Sequence, residues 1–151
     1  MTNPTPNIRI RVAGILVKDG RILLVRHEKA GKSYWLIPGG GMDFGESAEE
    51  ALAREYREEV GLDIHVGPLV LVHDSIPPTR HRQVLNLYFL VTTEKIDLKV
   101  TPDAVLRDAA FHPLSEFSNL AVKPDVRKEI LEGLSSQWSG GCRYLGNQWK
   151  D

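Results

Sequence analysis

Cysteine is almost missing from this 151-residue chain: Cys142 stands alone, so no intrachain disulfide can form and nothing points to an oxidising compartment. With no base partner evident beside it, an inert thiol is the expectation. Long apolar runs are missing too. No stretch approaches the ~18 residues needed to span a bilayer. The opening MTNPTPN has neither the charge nor the apolar block of a secretory signal, so a cytoplasmic protein without membrane contact is expected. Neither sign of charge is in excess. A formal net charge of -1 argues against a general electrostatic grip on nucleic acid and leaves any anion to be bound locally. No internal repeat or low-complexity tract is present. With 42% hydrophobic and 26% charged residues, the chain reads as one domain over residues 1–151.

Against these absences stands one dense stretch, residues 40–62, GGMDFGESAEEALAREYREEVGL. Ser47 followed three residues later by Glu50 makes a capping box, and Gly61 supplies a left-handed stop, so a helix is predicted between them. Helical periodicity puts Ala48, Leu52, Tyr56 and Val60 on one apolar row that packs on a sheet. Glu55, Glu58 and Glu59 fall on the adjacent stripe. Like charges at these spacings repel by a few tenths of a kcal/mol each, so the stripe calls for a compensating cation. A hard divalent ion such as Mg²⁺ or Mn²⁺ suits carboxylate oxygens and takes its remaining ligands from phosphates.

The same stretch resembles the Nudix box: glycine, five residues, Glu, seven residues, then an RE–x–x–EE run closed by Gly and an aliphatic. Here these are Gly40, Glu46, Arg54, Glu55, Glu58, Glu59, Gly61 and Leu62, with Tyr56 where an aliphatic is more usual. A buried tyrosine there needs a partner for its hydroxyl. The resemblance implies an α/β/α sandwich with a mixed β-sheet for almost the whole chain. It also implies hydrolysis of a nucleoside diphosphate linked to another moiety, by water attack on phosphorus with Mg²⁺ or Mn²⁺. It assigns Glu55, Glu58 and Glu59 to the metal, with Glu59 central and the Gly40 carbonyl beside them. Arg54 is expected to orient the carboxylates. Glu46 joins the metal shell, meets substrate or pairs with Arg54. The general base is expected to be Glu55 or Glu58; a later loop offers Asp103 and Asp108, and for Asp103 a turn-forming role is the leading reading.

Along the chain, residues 1–7 read as a loose arm. IRIRVAGILV and RILLVRH around Asp19-Gly20 read as a hairpin. A short strand YWLI ends at Pro38, and Gly39 to Gly41 are expected to bring backbone close to a ligand. Strands are expected at LDIHVGPLVLVHDSI, QVLNLYFLVTT, KIDLKV and AAFHPL, a helical turn at residues 113–117, and a helix at KPDVRKEILEGL with Ile130, Leu131 and Leu134 inward. The tail, residues 140–151, carries Tyr144, Leu145 and Trp149 and must pack on its own domain or make a homodimer.

Substrate choice lies outside the box. Pro77 and Pro78, fifteen and sixteen residues past Leu62, resemble the ADP-ribose pyrophosphatase subgroup. ADP-ribose or a nucleoside diphosphate sugar is thus the expected substrate. A nucleoside triphosphate or dinucleoside polyphosphate hydrolase is the alternative, and a nucleotide-sugar sensor the non-enzymatic one. Arg26, Arg80 and Arg82 are candidates to grip the diphosphate, and Trp35 or Tyr34 to stack a base.

Overall fold

The computed structural model describes residues 6–150. Most of the expected loose arm lies outside the described residues. The elements are β1 (Arg9–Ile15), β2 (Val17–Lys18), β3 (Arg21–Lys29), β4 (Lys32–Leu36), β5 (Gly39–Gly41), α1 (Ala48–Val60), β6 (His65–Ser75), β7 (Val84–Thr92), β8 (Leu106–Pro113), α2 (Leu114–Phe117), α3 (Arg127–Ser135) and β9 (Arg143–Asn147). Among the described residues no helix is long and apolar enough to cross a membrane.

Five strands form a mixed sheet in the order β5-β1-β7-β6-β9, with β1 parallel to β7 and β9 parallel to β6. In the second sheet β3 is flanked by β4 and β8 and turns back on β2, all antiparallel. Because side chains alternate along a strand, each sheet feeds two cores. Val12, Leu23 and Val25 meet Leu52, Tyr56 and Val60 of α1; Ala13, Ile22 and Leu24 meet Phe117 of α2 and Ile130 of α3. The sheets therefore share one layer between helices, the expected α/β/α sandwich.

Two local expectations need correction. The Asp19-Gly20 turn forms, but its hairpin is only β2 on β3, since β1 leaves to lie between β5 and β7. A strand that feeds both cores is better satisfied with a ladder on each edge. KIDLKV is not a strand. Leu98 and Val100 do point into the first core, but the backbone there answers the end of α1, with the Lys99 N–H donating to the Val60 carbonyl at 2.8 Å. Gly39 to Gly41 form β5, paired with β1. A Cβ on Gly39 would fall on the Val12 carbonyl oxygen. These glycines thus bring backbone against backbone first, and only then against a ligand.

Helix α1 ends as its sequence specifies. Ser47 Oγ accepts from the Glu50 N–H at 3.1 Å, the Glu50 carboxylate accepts from the Ser47 N–H at 3.3 Å, and Gly61 sits at φ 69°. Leu52, Tyr56 and Val60 are buried with Ala51, while Ala48 is half-buried. The Tyr56 hydroxyl donates to the Gly14 carbonyl at 2.6 Å, which supplies the partner its burial requires. Gly14 is small for the same reason: a Cβ there would meet the Tyr56 ring and Val91.

The tail packs on its own sheet. Asn147 both donates to and accepts from the Ile76 backbone at 3.0 Å, the Gln148 N–H donates to the Asp74 carbonyl at 2.8 Å, and Leu145 joins the second core.

Candidate functional site

Helix α1 packs its apolar row on β1 and β5, which turns the carboxylate stripe toward the open end of those strands. There Glu55, Glu58 and Glu59 line a cleft of ≈ 490 Å³. Backbone of Gly39 to Gly41 lines it from β5, Arg9 and Arg11 from β1, His27 from β3, and Asp103 from the loop before β8.

Each carboxylate is held differently. Glu59 is the deepest: its Oε1 accepts from the Gly39 N–H at 3.0 Å, and burial pushes its carboxyl up to about 8, with Arg11 opposing and Glu55 adding to the rise. Glu55 lies against Gly40, where a Cβ would collide with its carboxylate. Arg54 gathers the rest. Its guanidinium grips Glu46 at 2.6 and 3.1 Å, and reaches Glu55 at 2.9 Å, Glu58 at 3.3 Å and the Gly41 carbonyl at 3.1 Å. The hydrogen bonds from Arg54 and from the Asp43 N–H hold Glu46 below the usual carboxylate range, while the Glu46 hydrogen bond raises Arg54 further. Of the roles open to Glu46, the geometry therefore shows pairing with Arg54. Glu50 caps the helix instead.

The donor set suits a hard divalent cation: carboxylate oxygens, glycine carbonyls nearby, and in Glu59 a buried carboxyl that no neighbour fully neutralises. Arg54 and the Gly39 N–H engage the carboxylates, and among the described residues no group of three His, Cys, Asp or Glu converges closely enough to hold an ion as arranged. The residues fit the ion by chemistry, and side-chain rotation would have to close them on it.

The remaining sequence candidates scatter. Arg26 lies beside His27 on β3, so it faces away from the cleft; its Nη1 donates to Ser33 Oγ at 3.4 Å. Trp35 stands edge-on to His112 at 4.3 Å and packs on the second core. Arg80 and Arg82 flank a neighbouring groove that Arg9 also lines, and the Arg82 guanidinium lies 5.1 Å over the Trp149 ring. Asp103 lines the cleft but uses Oδ1 to accept the Val105 and Leu106 N–H groups at 2.7 and 2.6 Å, the turn role expected for it. Asp108 lies opposite Arg26 on β8 and accepts from the Ala109 N–H at 2.8 Å.

Arg9, Arg11 and His27 were not legible as site residues. Arginines two apart in IRIR share one strand face, and that was the available signal. Arg11 Nη2 donates to the Ile37 carbonyl at 2.7 Å, while its buried Nη1 has no partner among the described residues. Burial, and then Arg11, lowers the His27 pKa, so its imidazole favours the neutral form.

The chain is similar to known proteins. A NUDIX domain matches residues 7–134. An ADP-ribose pyrophosphatase from Methanocaldococcus jannaschii is 34% identical over 133 residues, covering 87% of this chain and 75% of that one. A NUDIX hydrolase structure from Nitrosomonas europaea superposes with a TM-score of 0.75 at 20% identity, covering 88% of this chain and 90% of the other, which speaks for the fold. A MutT NUDIX hydrolase from Burkholderia pseudomallei gives a TM-score of 0.69 at 25% identity over 83% and 97%. The glutamate stripe, its arginine clamp and the sandwich behind them thus occur in a chain that belongs to the Nudix hydrolase family.

Proposed function

We propose that this hydrolase cleaves the diphosphate of ADP-ribose or a nucleoside diphosphate sugar with Mg²⁺ or Mn²⁺. The observation that carries this reading is one cleft in which Glu55, Glu58 and Glu59 face Arg9 and Arg11. Carboxylates alone would repel a diphosphate, and arginines alone would bind it without activating water. Similarity to an archaeal ADP-ribose pyrophosphatase supports the choice of substrate.

Glu55, Glu58 and Glu59, with the Gly40 carbonyl, would hold the cation. When bound, it supplies charge neutralisation and a more acidic water. The chain's own groups do the rest. Arg54 fixes where the carboxylates point, and the Gly39 N–H fixes Glu59. Glu55 or Glu58 accepts the proton of the attacking water. Arg9 and Arg11 neutralise the diphosphate oxygens, a part first considered for Arg26, Arg80 and Arg82.

The test is hydrolysis by the purified protein of ADP-ribose, UDP-glucose, GDP-mannose, a nucleoside triphosphate and diadenosine polyphosphates, with Mg²⁺, Mn²⁺ or EDTA. ADP-ribose or a sugar nucleotide should be preferred, and EDTA should abolish turnover. Preference for the triphosphate would overturn the substrate assignment. No turnover of any would overturn the enzymatic one.

A further inference from the structure

A second cavity, ≈ 510 Å³, lies beside the glutamate cleft. Its apolar walls are Tyr34 and Leu36 of β4, Val122 and Pro124, and, from the tail, Trp149. Trp149 lies past residue 134, where the family match ends, so its place in this wall is a property of this chain. The two cavities adjoin across one ring pair. His27 lines the cleft, Tyr34 lines the second cavity, and their ring centroids are 6.0 Å apart.

The tail holds Trp149 in position. Asn147 is tied to the Ile76 backbone, and its Oδ1 also accepts from the Trp149 N–H at 3.2 Å. Arg82 covers the indole at 5.1 Å, while across the cavity Lys123 Nζ lies 5.3 Å from the Tyr34 ring. Two aromatic walls with apolar residues between them, and cations beside each ring, form a slot for a flat, electron-rich group. Its place beside the cleft, with only the His27–Tyr34 ring pair between the two, says which group this is.

We propose that Trp149 is a specificity-determining residue, and that this cavity takes the nucleobase of the substrate whose diphosphate lies in the glutamate cleft. The idea rests on the function proposed above. Of the two residues the sequence offers to stack a base, Trp35 packs elsewhere and Tyr34 lines this cavity, and the tail adds Trp149. Stacking on one aromatic face is worth roughly five- to a hundredfold in affinity.

The experiment compares the full-length protein with Trp149→Ala and Trp149→Phe. KM and kcat are measured on the best nucleotide substrate, and the affinities of AMP and of ribose 5-phosphate by calorimetry. Trp149→Ala should raise KM about tenfold with a smaller change in kcat and weaken AMP by a similar factor. It should leave ribose 5-phosphate, which has no base, within twofold, and Trp149→Phe should restore most of the AMP affinity. An unchanged KM and AMP affinity in Trp149→Ala would overturn the assignment even in an active enzyme. Equal weakening of AMP and ribose 5-phosphate would overturn it too, since that marks a general loss of structure. AMP binding needs no turnover, so the base site is tested even where the hydrolytic reading fails.

Discussion

Glu59 and Tyr56 lie three residues apart on α1 and show how one helix serves two purposes. Glu59 holds a buried carboxyl pushed up to about 8, so without a cation it carries its proton at neutral pH, and glutamine is a close copy of that state. Glu59→Gln should therefore melt like the wild type when metal-free, keeping the bond from the Gly39 N–H. It should lose kcat by about two orders of magnitude or more, because the charge offered to a cation is gone. Calorimetry and initial rates check both halves, and near-normal turnover would remove Glu59 from the metal. Tyr56→Phe should do the reverse. Depriving the buried Gly14 carbonyl of the hydroxyl costs about 1–2 kcal/mol by denaturant unfolding while kcat stays within about twofold. A variant as stable as the wild type would mean that this hydrogen bond contributes nothing net.

At the scale of elements, the decisive contact is between β5 and its neighbours. Gly39 runs against the β1 backbone and Gly40 against the Glu55 carboxylate, so the same added methyl has different effects at adjacent positions. Gly39→Ala must push β5 off β1 and should destabilise by about 1–3 kcal/mol. Gly40→Ala meets only the end of a side chain, which can move. It should fold with a near-normal melting temperature and lose more than about tenfold in kcat, because Glu55 is displaced. Thermal melts beside initial rates separate the two, and a Gly40→Ala enzyme of full activity would show that the position of Glu55 is unimportant.

For the whole molecule, two features reach across layers. His73 is fully buried between the Asp74 carbonyl, at 3.2 Å from Nδ1, and the Tyr88 hydroxyl, at 3.1 Å from Nε2. A carbonyl can only accept, so Nδ1 carries the proton and Nε2 accepts from Tyr88, which fixes the neutral tautomer. Burial accordingly lowers its pKa. The unfolded chain binds a proton near pH 6.5 and the fold does not. The stability His73 contributes is thus complete above about pH 6.5 and is lost as pH falls through that value toward the folded pKa. An NMR titration of its imidazole should show a midpoint below 6.5; one at or above 6.5 would refute the buried neutral state. The tail is the second feature. Because β9 covers the edge of β6, truncation after Ser139 should lower the melting temperature by about 5 °C or more and leave a strand edge prone to association. Sedimentation distinguishes this from a tail that links subunits: a full-length dimer that truncation turns into monomer would contradict the pairing within one chain.

The carboxylate-bearing helix was legible because its signals lie within one element. Caps, apolar row and carboxylate stripe depend on spacings of three and four residues, which local backbone geometry converts directly into positions in space. The α/β class was legible in the succession of strands and helices, while the layering of sheet between helices was legible only through the family resemblance. Partners were not. That β1 leaves Asp19-Gly20 for β5 and β7, that Leu98 and Val100 follow α1 rather than a strand, and that Arg9, Arg11 and His27 rather than Arg26 face the glutamates all depend on pairings between distant segments. Alternation says that two arginines share a face, but not what the face meets. Trp149 is the extreme case: 109 residues separate it from Gly40, and only the docking of β9 on β6 brings it to the cavity beside the cleft.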